Sequence, residues 1–230
     1  MSKDFWSPSR RDFLKVVGAS SVVVSTPTQA KITPPIPLNE YQPVFFKAEE
    51  WRFILAACAR LIPSEGDGPG ALETRVPVFI DLQMAGDFGN AADWYMEGPH
   101  EPEASFDRGF QSPLTPAEIY RQSIAFIDQW CEQQDGKKFA ELANERQDEI
   151  LTACQKNEIG LAPELKEFFS LLLQNTKEGY FADPIYGGNY GLAAWKHIGF
   201  PGARAAFTEW VDQHNVPYPL GPVSISGERG

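Results

Sequence analysis

Residues 163–173 read Pro-Glu-Leu-Lys-Glu-Phe-Phe-Ser-Leu-Leu-Leu, and this stretch decides the fold. Its apolar side chains recur at the three- and four-residue spacing of an α-helix that begins at Pro163. They form a wide apolar face, which consists of Leu165, Phe168, Phe169, Leu172 and Leu173. Because a helix at the edge of a bundle needs only a narrow apolar stripe, this width predicts a central position for the helix.

The same periodicity predicts two helices closer to the N-terminus. The first starts at Glu49 and presents one apolar stripe until Pro63 stops it. The second is shorter; it starts near Val76 and ends near Gly86. Both helices have an apolar side to bury, so both are expected to pack into one bundle.

Two further helices are indicated by their N-terminal signals. Thr115-Pro116-Ala117-Glu118 is a capping box with proline at the first helical position, and the helix it opens ends at Gly136. Asn144, with Gln147 three positions later, is interpreted as the cap of another helix.

Between these helices, residues 87–113 contain glycines and prolines that interrupt every periodic window, together with several aromatic residues. They are predicted to form a long ordered loop. No β alternation of useful length occurs anywhere in the chain. The predicted fold is therefore mainly α: a compact helical domain, residues 47–230, with long ordered loops.

The N-terminus has the features of a twin-arginine export signal. Ser9-Arg10-Arg11-Asp12-Phe13-Leu14-Lys15 is followed by a short apolar run, Val16 to Val24, which is too short to span a membrane. Small residues before Lys31 predict cleavage after Ala30. The residues that carry the signal are Arg10, Arg11, Phe13 and Leu14, and the implied partner is the twin-arginine translocase. The alternative is a disordered or amphipathic N-terminal arm.

Residues 31–46 carry four prolines and are predicted to form an extended arm that could lie along a partner. The predicted organisation is thus a signal peptide at residues 1–30, the proline-rich arm, and the helical domain. A chain of this length and apolar content can bury one good core, which is the basis for assigning a single domain.

The charge balance excludes two classes of partner. The whole chain has a net charge of −11. Because residues 1–30 hold four basic and two acidic groups, the processed chain would have a net charge of −13. Such a chain lacks the excess of cations that nucleic acids and anionic membrane surfaces attract. We therefore predict no nucleic acid partner.

The sequence gives no sign of a redox cofactor in this chain. No G-x-G-x-x-G fingerprint is present, and Cys58, Cys131 and Cys154 form no C-x-x-C-H haem attachment site. Each cysteine lies in a predicted helix, so a buried, unreactive thiol or an intersubunit disulfide are both open. Proteins exported in the folded state most often carry a cofactor, and its absence here points to a cofactor-bearing partner that shares the signal.

Groups for acid–base or metal chemistry are also few. The three histidines lie in different segments, and His197 is interpreted as a structural group rather than a base. Glu178 and Asp183 could in principle form a carboxylate pair of the glycosidase type. Asp183 precedes a proline, however, and is better explained as a residue that starts a turn and accepts a bond from its own backbone. We assign no catalytic, cofactor-binding or metal-binding residue.

Residues 179–204 are rich in glycine and aromatic residues, unlike an ordinary helix connection. Aromatic side chains on a glycine-rich backbone are typical of protein interfaces, although a packed cap on the core is the alternative. The residues proposed to contact a partner are Tyr186, Gly187, Gly188, Asn189, Trp195, Lys196, Phe200 and Pro201.

The chain resembles the gluconate 2-dehydrogenase subunit 3 family, also called the gamma or small subunit. The family is similar in its Asp-Pro-x-Tyr-Gly-Gly-Asn turn, matched by residues 183–189, and in its Trp-Lys-x-x-Gly-Phe-Pro-Gly-Ala run, matched by residues 195–203. Two more blocks resemble it, Tyr95-Met96-Glu97-Gly98-Pro99 and residues 109–118. The likeness extends from about Glu49 to Val211.

The resemblance implies a heterotrimeric membrane-bound dehydrogenase. In such complexes a large flavoprotein binds FAD and oxidises a sugar or sugar acid, and a multi-haem cytochrome c passes the electrons to ubiquinone. The small subunit is needed for maturation and export of the flavoprotein, which places it on the periplasmic side of the bacterial inner membrane through its partners. Gluconate, 2-ketogluconate, fructose, sorbitol and glucose all remain open as substrates.

Two functions are therefore carried forward. The first is a non-catalytic structural and export subunit of an FAD-dependent dehydrogenase. The second is an autonomous periplasmic carbohydrate-binding or hydrolytic protein that uses its aromatic loop as a platform for sugars. The isolated chain separates them, because only the second predicts sugar binding without a partner.

Overall fold

The structure is a computed structural model that describes residues 36–230, apart from the side chain of Phe106. The described residues contain α-helices and short 3-10 turns but no β-strand. The α-helices are α1 (Ala48–Leu61), α2 (Val76–Ala85), α3 (Pro116–Asp135), α4 (Asn144–Gln155), α5 (Phe168–Phe181) and α6 (Ala193–Ile198). The prediction of a mainly α fold is confirmed. None of these helices is long and apolar enough to cross a membrane.

Helix α5 occupies the centre of the bundle, as its wide apolar face predicts. It packs against α1, α2, α3, α4 and α6. Phe168 and Leu172 are completely buried, and the ring centroid of Phe168 lies 5.4 Å from that of Tyr120 in α3. Because α5 contacts every other helix, substitutions that thin its apolar face should affect the whole fold.

The start of α5 differs from the prediction that it begins at Pro163. Pro163–Leu165 form a separate 3-10 turn, and the α-helix begins at Phe168. The carbonyl oxygen of Glu164 accepts a hydrogen bond from Ser112 Oγ at 2.8 Å. In a continuous α-helix this oxygen would accept the N–H of Phe168, so the contact with Ser112 accompanies the break.

Helices α1 and α2 occur where the sequence places them. The ring of Phe53 in α1 packs 4.5 Å from the ring of Phe139, between centroids. Helix α2 is buried on most of its surface, including Val76, Phe79, Ile80 and Met84. A helix that is apolar around its circumference belongs in the interior, which agrees with the close packing of α2 against α5.

The capping box of α3 is confirmed. The backbone N–H of Glu118 donates to Thr115 Oγ1, and the Thr115 N–H donates to Glu118 Oε2 at 2.8 Å. Gly136 ends the helix in the left-handed conformation, with φ of +70°. This region is one where the local signals alone set both helix ends.

The predicted cap of α4 is wrong by one residue. Ala143 is the N-cap, and Asn144 is already helical. Gln147 is buried, and its Nε2 donates to the carbonyl oxygens of Phe139 at 3.0 Å and Leu142 at 3.2 Å. The amide of Gln147 therefore serves the preceding turn, and is not free to close a capping box.

The last residues of the proline-rich arm lie against the chain's own core. Asp81 accepts hydrogen bonds from Tyr41 and from the backbone of residues 44–46. Arg121 donates to the carbonyl oxygen of Phe45 at 2.8 Å and stacks over its ring at 4.0 Å. The compact unit spans Leu38–Gly230. The part of the arm nearest the domain is thus anchored internally.

Residues 87–113 form an irregular segment with one 3-10 turn, Phe106–Arg108. Its aromatic residues pack together: the ring of Trp94 lies 5.6 Å from that of Phe88 and 4.7 Å from that of Phe110. The segment covers part of the core with its own side chains, as expected for a long ordered loop.

The three cysteines are unpaired within the chain and buried in the bundle. Burial raises the pKa of Cys58, Cys131 and Cys154 to about 12 in each case. A thiol with so high a pKa is a poor nucleophile at neutral pH. The structure favours the buried, unreactive thiol over the intersubunit disulfide.

Candidate functional site

The Gly-rich segment after α5 begins with a tight turn. Pro184–Tyr186 form a 3-10 turn, and Oδ1 of Asp183 accepts the backbone N–H of Ile185 at 3.1 Å. Gly187 follows with a φ of +93°, a conformation that glycine adopts without strain. The prediction that Asp183 starts a turn and binds its own backbone is confirmed.

Gly188 allows this turn to lie directly against helix α5. A Cβ atom at Gly188 would lie 2.1 Å from the carbonyl oxygen of Gly179, a distance that no side chain tolerates. Gly179 in turn lies against the ring of Phe79, to which a Cβ would come within 2.8 Å. The glycines therefore let the backbone of the turn lie against that of α5, and the backbone of α5 lie against the Phe79 ring of α2.

Asn189 fastens the turn to helix α6. Its side chain is completely buried, with Nδ2 donating to the carbonyl oxygen of Ala182 at 3.0 Å. Its Oδ1 accepts the backbone N–H of Ala194 at 2.9 Å, in the first turn of α6. Asn189 itself adopts a positive φ of +44°, which asparagine tolerates better than most residues. It is a structural link within this chain.

Trp195 has a similar internal role. Its indole Nε1 donates to the carbonyl oxygen of Phe181 at 2.8 Å, and only 6% of the residue is exposed. On its other side the ring of Phe200 packs edge-on, with the centroids 4.9 Å apart. The indole thus joins α6 to the end of α5.

The structure divides the proposed interface residues into two groups. Gly188, Asn189 and Trp195 are buried. Gly188 lies against the backbone of Gly179, and the side chains of Asn189 and Trp195 bind backbone groups of this chain, so these three residues offer no surface. The others reach the surface wholly or in part: Tyr186, Gly187, Lys196, Phe200 and Pro201. The buried group shapes the segment, and the exposed group is what a partner could contact.

Sequence analysis missed several exposed apolar neighbours. Ile185 lies beside Tyr186 in the turn, and Ile225 belongs to the C-terminal tail. The N–H of Ile225 donates to Asp183 Oδ2 at 2.7 Å, which brings the tail to the turn from 42 residues away. No local sequence pattern predicts a contact between residues so far apart in the chain. Ile185, in contrast, could have been identified from its place between Pro184 and Tyr186.

The segment is also unusual in its charges. Residues 179–208 contain Asp183 as their only acidic residue, and it is buried, whereas the chain as a whole has a net charge of −11. The same residues include Lys196 and Arg204. Ile185, Tyr186 and Phe200 therefore lie in a stretch that holds a single carboxylate, whereas Ile225 lies in the tail near Glu228.

The remaining candidates offer less. Among residues 36–230 no group of three metal-ligating side chains could hold an ion. His197 is exposed, and its ring lies against Gly68, where a Cβ would approach Nε2 to 3.0 Å. An open cavity of about 530 Å³ in the irregular segment is lined by Glu101, Ala104, Ser105, Arg108 and Gln111. The export signal residues Arg10, Arg11, Phe13 and Leu14 lie outside the described residues.

A comparison with protein families gives a match over most of the described chain. The model of the family described as gluconate 2-dehydrogenase subunit 3 matches residues 48–202. Neither a curated protein nor a solved structure matches the chain. The family match includes all six helices and the whole turn at residues 183–189, and it stops before the C-terminal tail.

Proposed function

Because the chain belongs to the gluconate 2-dehydrogenase subunit 3 family, we propose that it is the small, non-catalytic subunit of a heterotrimeric FAD-dependent dehydrogenase. The observation that carries the proposal is the family match across the complete helical bundle. The partners in this proposal are a large FAD-binding catalytic subunit and a multi-haem cytochrome c subunit. The complex oxidises gluconate or a related sugar or polyol.

The export role rests on the N-terminal sequence. Residues 9–15 have the order of a twin-arginine motif, and such signals direct folded proteins to the translocase. A flavoprotein must fold around its FAD before export. We propose that the small subunit binds the folded flavoprotein and supplies the signal for both, so that the complex functions on the periplasmic side of the inner membrane.

The division of labour follows from what each chain contributes. This sequence contains neither a dinucleotide-binding fingerprint nor a C-x-x-C-H haem site. The proposal therefore assigns FAD to the large subunit and haem c to the cytochrome. The small subunit contributes a rigid bundle and an apolar surface, which are what a binding partner needs.

Export is tested by changing Arg10 and Arg11 to lysine in cells that produce all three subunits. We expect both this chain and the flavoprotein to remain in the cytoplasm, with periplasmic dehydrogenase activity lost. Arg229→Lys, at an exposed position near the C-terminus, is the matched control and should leave export unchanged. Normal export of the flavoprotein in the double mutant would contradict the shared signal.

Subunit identity is tested by purifying the complex through a tag on this chain. The flavin and haem absorption bands should co-purify with it. His197→Asn should leave turnover per bound flavin unchanged, because the proposal assigns His197 no part in the reaction. If His197 transferred a proton, its loss would typically lower the rate 10²- to 10⁴-fold. A fall of that size with intact assembly would overturn the non-catalytic assignment.

A further inference from the structure

Asp128 in α3 is a buried carboxylate that is only half satisfied. Its Oδ1 accepts the backbone N–H of Phe139 at 3.2 Å, whereas Oδ2 accepts no hydrogen bond from the residues that the structure describes. Only 8% of Asp128 is exposed to solvent. Because buried polar groups nearly always have a partner, an oxygen without a donor at such a site points to a bound molecule that supplies one.

Asp128 lines a cavity of about 300 Å³ that lies between α3 and the start of α1. One face of α3 contributes Ile124, Ala125, Asp128, Gln129 and Glu132, and the remaining lining residues are Lys47, Glu49, Glu50 and Lys138. The volume is at the lower end of the range for ligand sites, which is roughly 300–1,000 Å³. This cavity, which we call the Asp128 cavity, is therefore large enough for a small ligand or one long side chain.

Two of the four carboxylates in this lining are already neutralised. Glu49 binds Lys138 at 2.7 Å, and the two oxygens of Glu50 accept from Arg121 Nη1 at 3.0 and 2.8 Å. Glu49 and Glu50 also lie in the first turn of α1, where their charges offset the positive end of the helix dipole. These two carboxylates therefore need no further cation.

Asp128 and Glu132 are the carboxylates that remain. Neither has an ion pair among the described residues, and the same is true of the exposed Lys47. Burial raises the pKa of Asp128, and the charges of Glu132 and Glu49 raise it further, while the Phe139 bond and Lys138 oppose them. The lining thus has two unpaired carboxylates and one unpaired ammonium group, so the cavity has an excess of negative charge.

The free groups fit an ammonium ion better than other cations. Because Asp128 has one free oxygen, it cannot form the two parallel bonds that a planar guanidinium makes. A divalent metal needs more ligands, and residues 36–230 contain no group of three side chains that could hold one. An ammonium group has three donors, and Glu132, four residues after Asp128 on the same face of α3, supplies a second acceptor.

We propose that the Asp128 cavity binds an alkylammonium group. Asp128 Oδ2 and Glu132 accept its N–H donors, and Ile124 and Ala125 contact its alkyl stem. The same group is offered by a free amine and by a lysine side chain of another chain, and the test separates these two sources. The inference does not depend on the proposed function, because it rests on the cavity alone.

Binding is measured on the protein that is purified through a tag on this chain from cells that produce the whole complex. Equilibrium dialysis with labelled n-butylammonium, at constant ionic strength, should show one saturable site per chain. Butyltrimethylammonium has the same charge and stem but no N–H donor, so it should not compete. Equal competition by the two ions would overturn the proposal, because it would show charge attraction without hydrogen bonds to Asp128 and Glu132.

Asp128→Asn should weaken the binding of n-butylammonium about tenfold or more, as expected when a hydrogen bond to a charged acceptor is lost. Asp135→Asn is the matched control: it makes the same substitution in the same helix but outside the lining, and should leave the affinity unchanged. Lys47→Gln removes the competing ammonium group of this chain and should strengthen binding. Equal affinities of the Asp128→Asn variant and the wild type would contradict the site.

A lysine of another chain would occupy the cavity in the purified complex and would exclude the free amine. Carbodiimide cross-linking tests this source, because it joins carboxylates to amines that they contact. Mass spectrometry should then find Asp128 or Glu132 joined to a lysine of a partner subunit, and Asp128→Asn should also reduce the cross-link at Glu132. The proposal fails if neither n-butylammonium binding nor this cross-link is found. It also fails if Asp128 is joined to Lys47 alone, since the cavity would then be filled by its own chain.

Discussion

Asp81 and Asp183 are two buried aspartates that each bind a distant segment, in different surroundings. Asp81 lies in α2, is completely buried, and accepts the Tyr41 hydroxyl and three backbone N–H groups of residues 44–46. Asp183 lies in a turn and accepts two backbone N–H groups. The first carboxylate anchors a segment that enters the core, and the second anchors a segment that stays at the surface.

The difference separates residues that hold the fold from residues that shape a surface. Next to the Asp81 contacts, Phe46 is 4% exposed and packs 6.1 Å from the ring of Tyr120. Next to the Asp183 contacts, Ile185 and Ile225 keep more than half of their area exposed. The same chemistry therefore secures a buried segment at one end of the chain and leaves apolar side chains exposed at the other.

The largest effect is expected from Asp81→Asn. The amide nitrogen of asparagine would face two donors where an oxygen accepted two, and of these only the Tyr41 hydroxyl can reverse and accept. At least one buried backbone N–H therefore loses its acceptor, and the remaining bonds lose their charged partner. Bonds to a charged acceptor are each worth about 1.5–3 kcal/mol, and we expect the free energy of unfolding to fall by about 3 kcal/mol or more. Urea denaturation followed by circular dichroism measures it.

Tyr41→Phe is the matched control for that change. It removes one of the four donors to Asp81 and leaves the carboxylate and the ring in place. We expect a loss of about 1 kcal/mol. If Asp81→Asn proves no more damaging than Tyr41→Phe, the anchor at the N-terminal end contributes no more than a single hydrogen bond, and the comparison with Asp183 loses its basis.

The next largest effect is expected from Gly188→Ala, which probes the support beneath the turn. The added Cβ would overlap the carbonyl oxygen of Gly179, so the backbone of the turn or of α5 must move. Overpacking of this kind typically costs about 1–3 kcal/mol. Gly98→Ala is the matched control, because a Cβ atom at Gly98 would lie no closer than 3.5 Å to its nearest neighbours. Gly136→Ala is unsuited, since the positive φ of Gly136 would itself strain an alanine. Thermal unfolding of Gly188→Ala and Gly98→Ala makes the comparison.

Local sequence signals predict the helices well and the two carboxylate anchors poorly. The capping box of α3 and the proline that stops α1 depend on neighbours a few residues away, and both are confirmed. The bonds of Asp81 join residues 35–40 positions apart, and the bond of Asp183 to Ile225 spans 42. Such pairings depend on the tertiary fold, which periodicity and turn chemistry do not specify.

The candidate site shows the same limit at the level of single residues. Glycine and aromatic content drew attention to residues 179–204, but did not distinguish the buried residues from the exposed ones. Asn189 and Trp195 look like interface residues by type, and the structure shows them bonded to the backbone of this chain. The residue type alone does not show whether such a side chain is buried in its own chain or available to a partner. The hydrogen-bond partners of its polar atoms show this, and they depend on the tertiary fold.

Asp183→Asn should have a smaller effect on the bundle than the two preceding changes. Because its two bonds hold a turn and the tail, we expect the free energy of unfolding to fall by about 1 kcal/mol. The tail should become accessible to proteases, whereas α1 to α5 remain protected. Limited proteolysis with mass spectrometry of the fragments measures this. Cleavage within α5 at the same rate as in the tail would contradict the distinction between the two anchors.

The smallest effect, and one of opposite sign, is expected at Asp128 in α3. This carboxylate is buried but accepts a single backbone N–H, that of Phe139 at 3.2 Å. Burial raises the pKa of Asp128 above its ordinary value of 3.8, and the bond from Phe139 opposes this only in part. Glu132 and Glu49 also raise this pKa, while Lys138 lowers it. If the number of hydrogen-bond donors determines what a buried aspartate contributes to the free energy of unfolding, Asp128 should lower that free energy when it is charged, because it has a single donor.

The pH dependence follows from the raised pKa of Asp128. At pH values between the ordinary and the raised pKa of Asp128, the folded state binds more protons than the unfolded state, so the contribution of this group to stability falls as the pH rises through that interval.

Asp128→Asn keeps an oxygen that accepts the Phe139 N–H and removes the buried charge. We expect it to raise the free energy of unfolding at pH 7 by up to about 1 kcal/mol, and to have no such effect near pH 3, where the wild-type group is protonated in both states. Asp135→Asn in the same helix is the control, because it breaks an ion pair with Arg146 and should be slightly destabilising at pH 7. Urea denaturation of both variants at the two pH values measures these changes in the free energy of unfolding. A loss of stability in Asp128→Asn at pH 7 would show that the number of hydrogen-bond donors does not determine how much Asp81, Asp183 and Asp128 each contribute to stability.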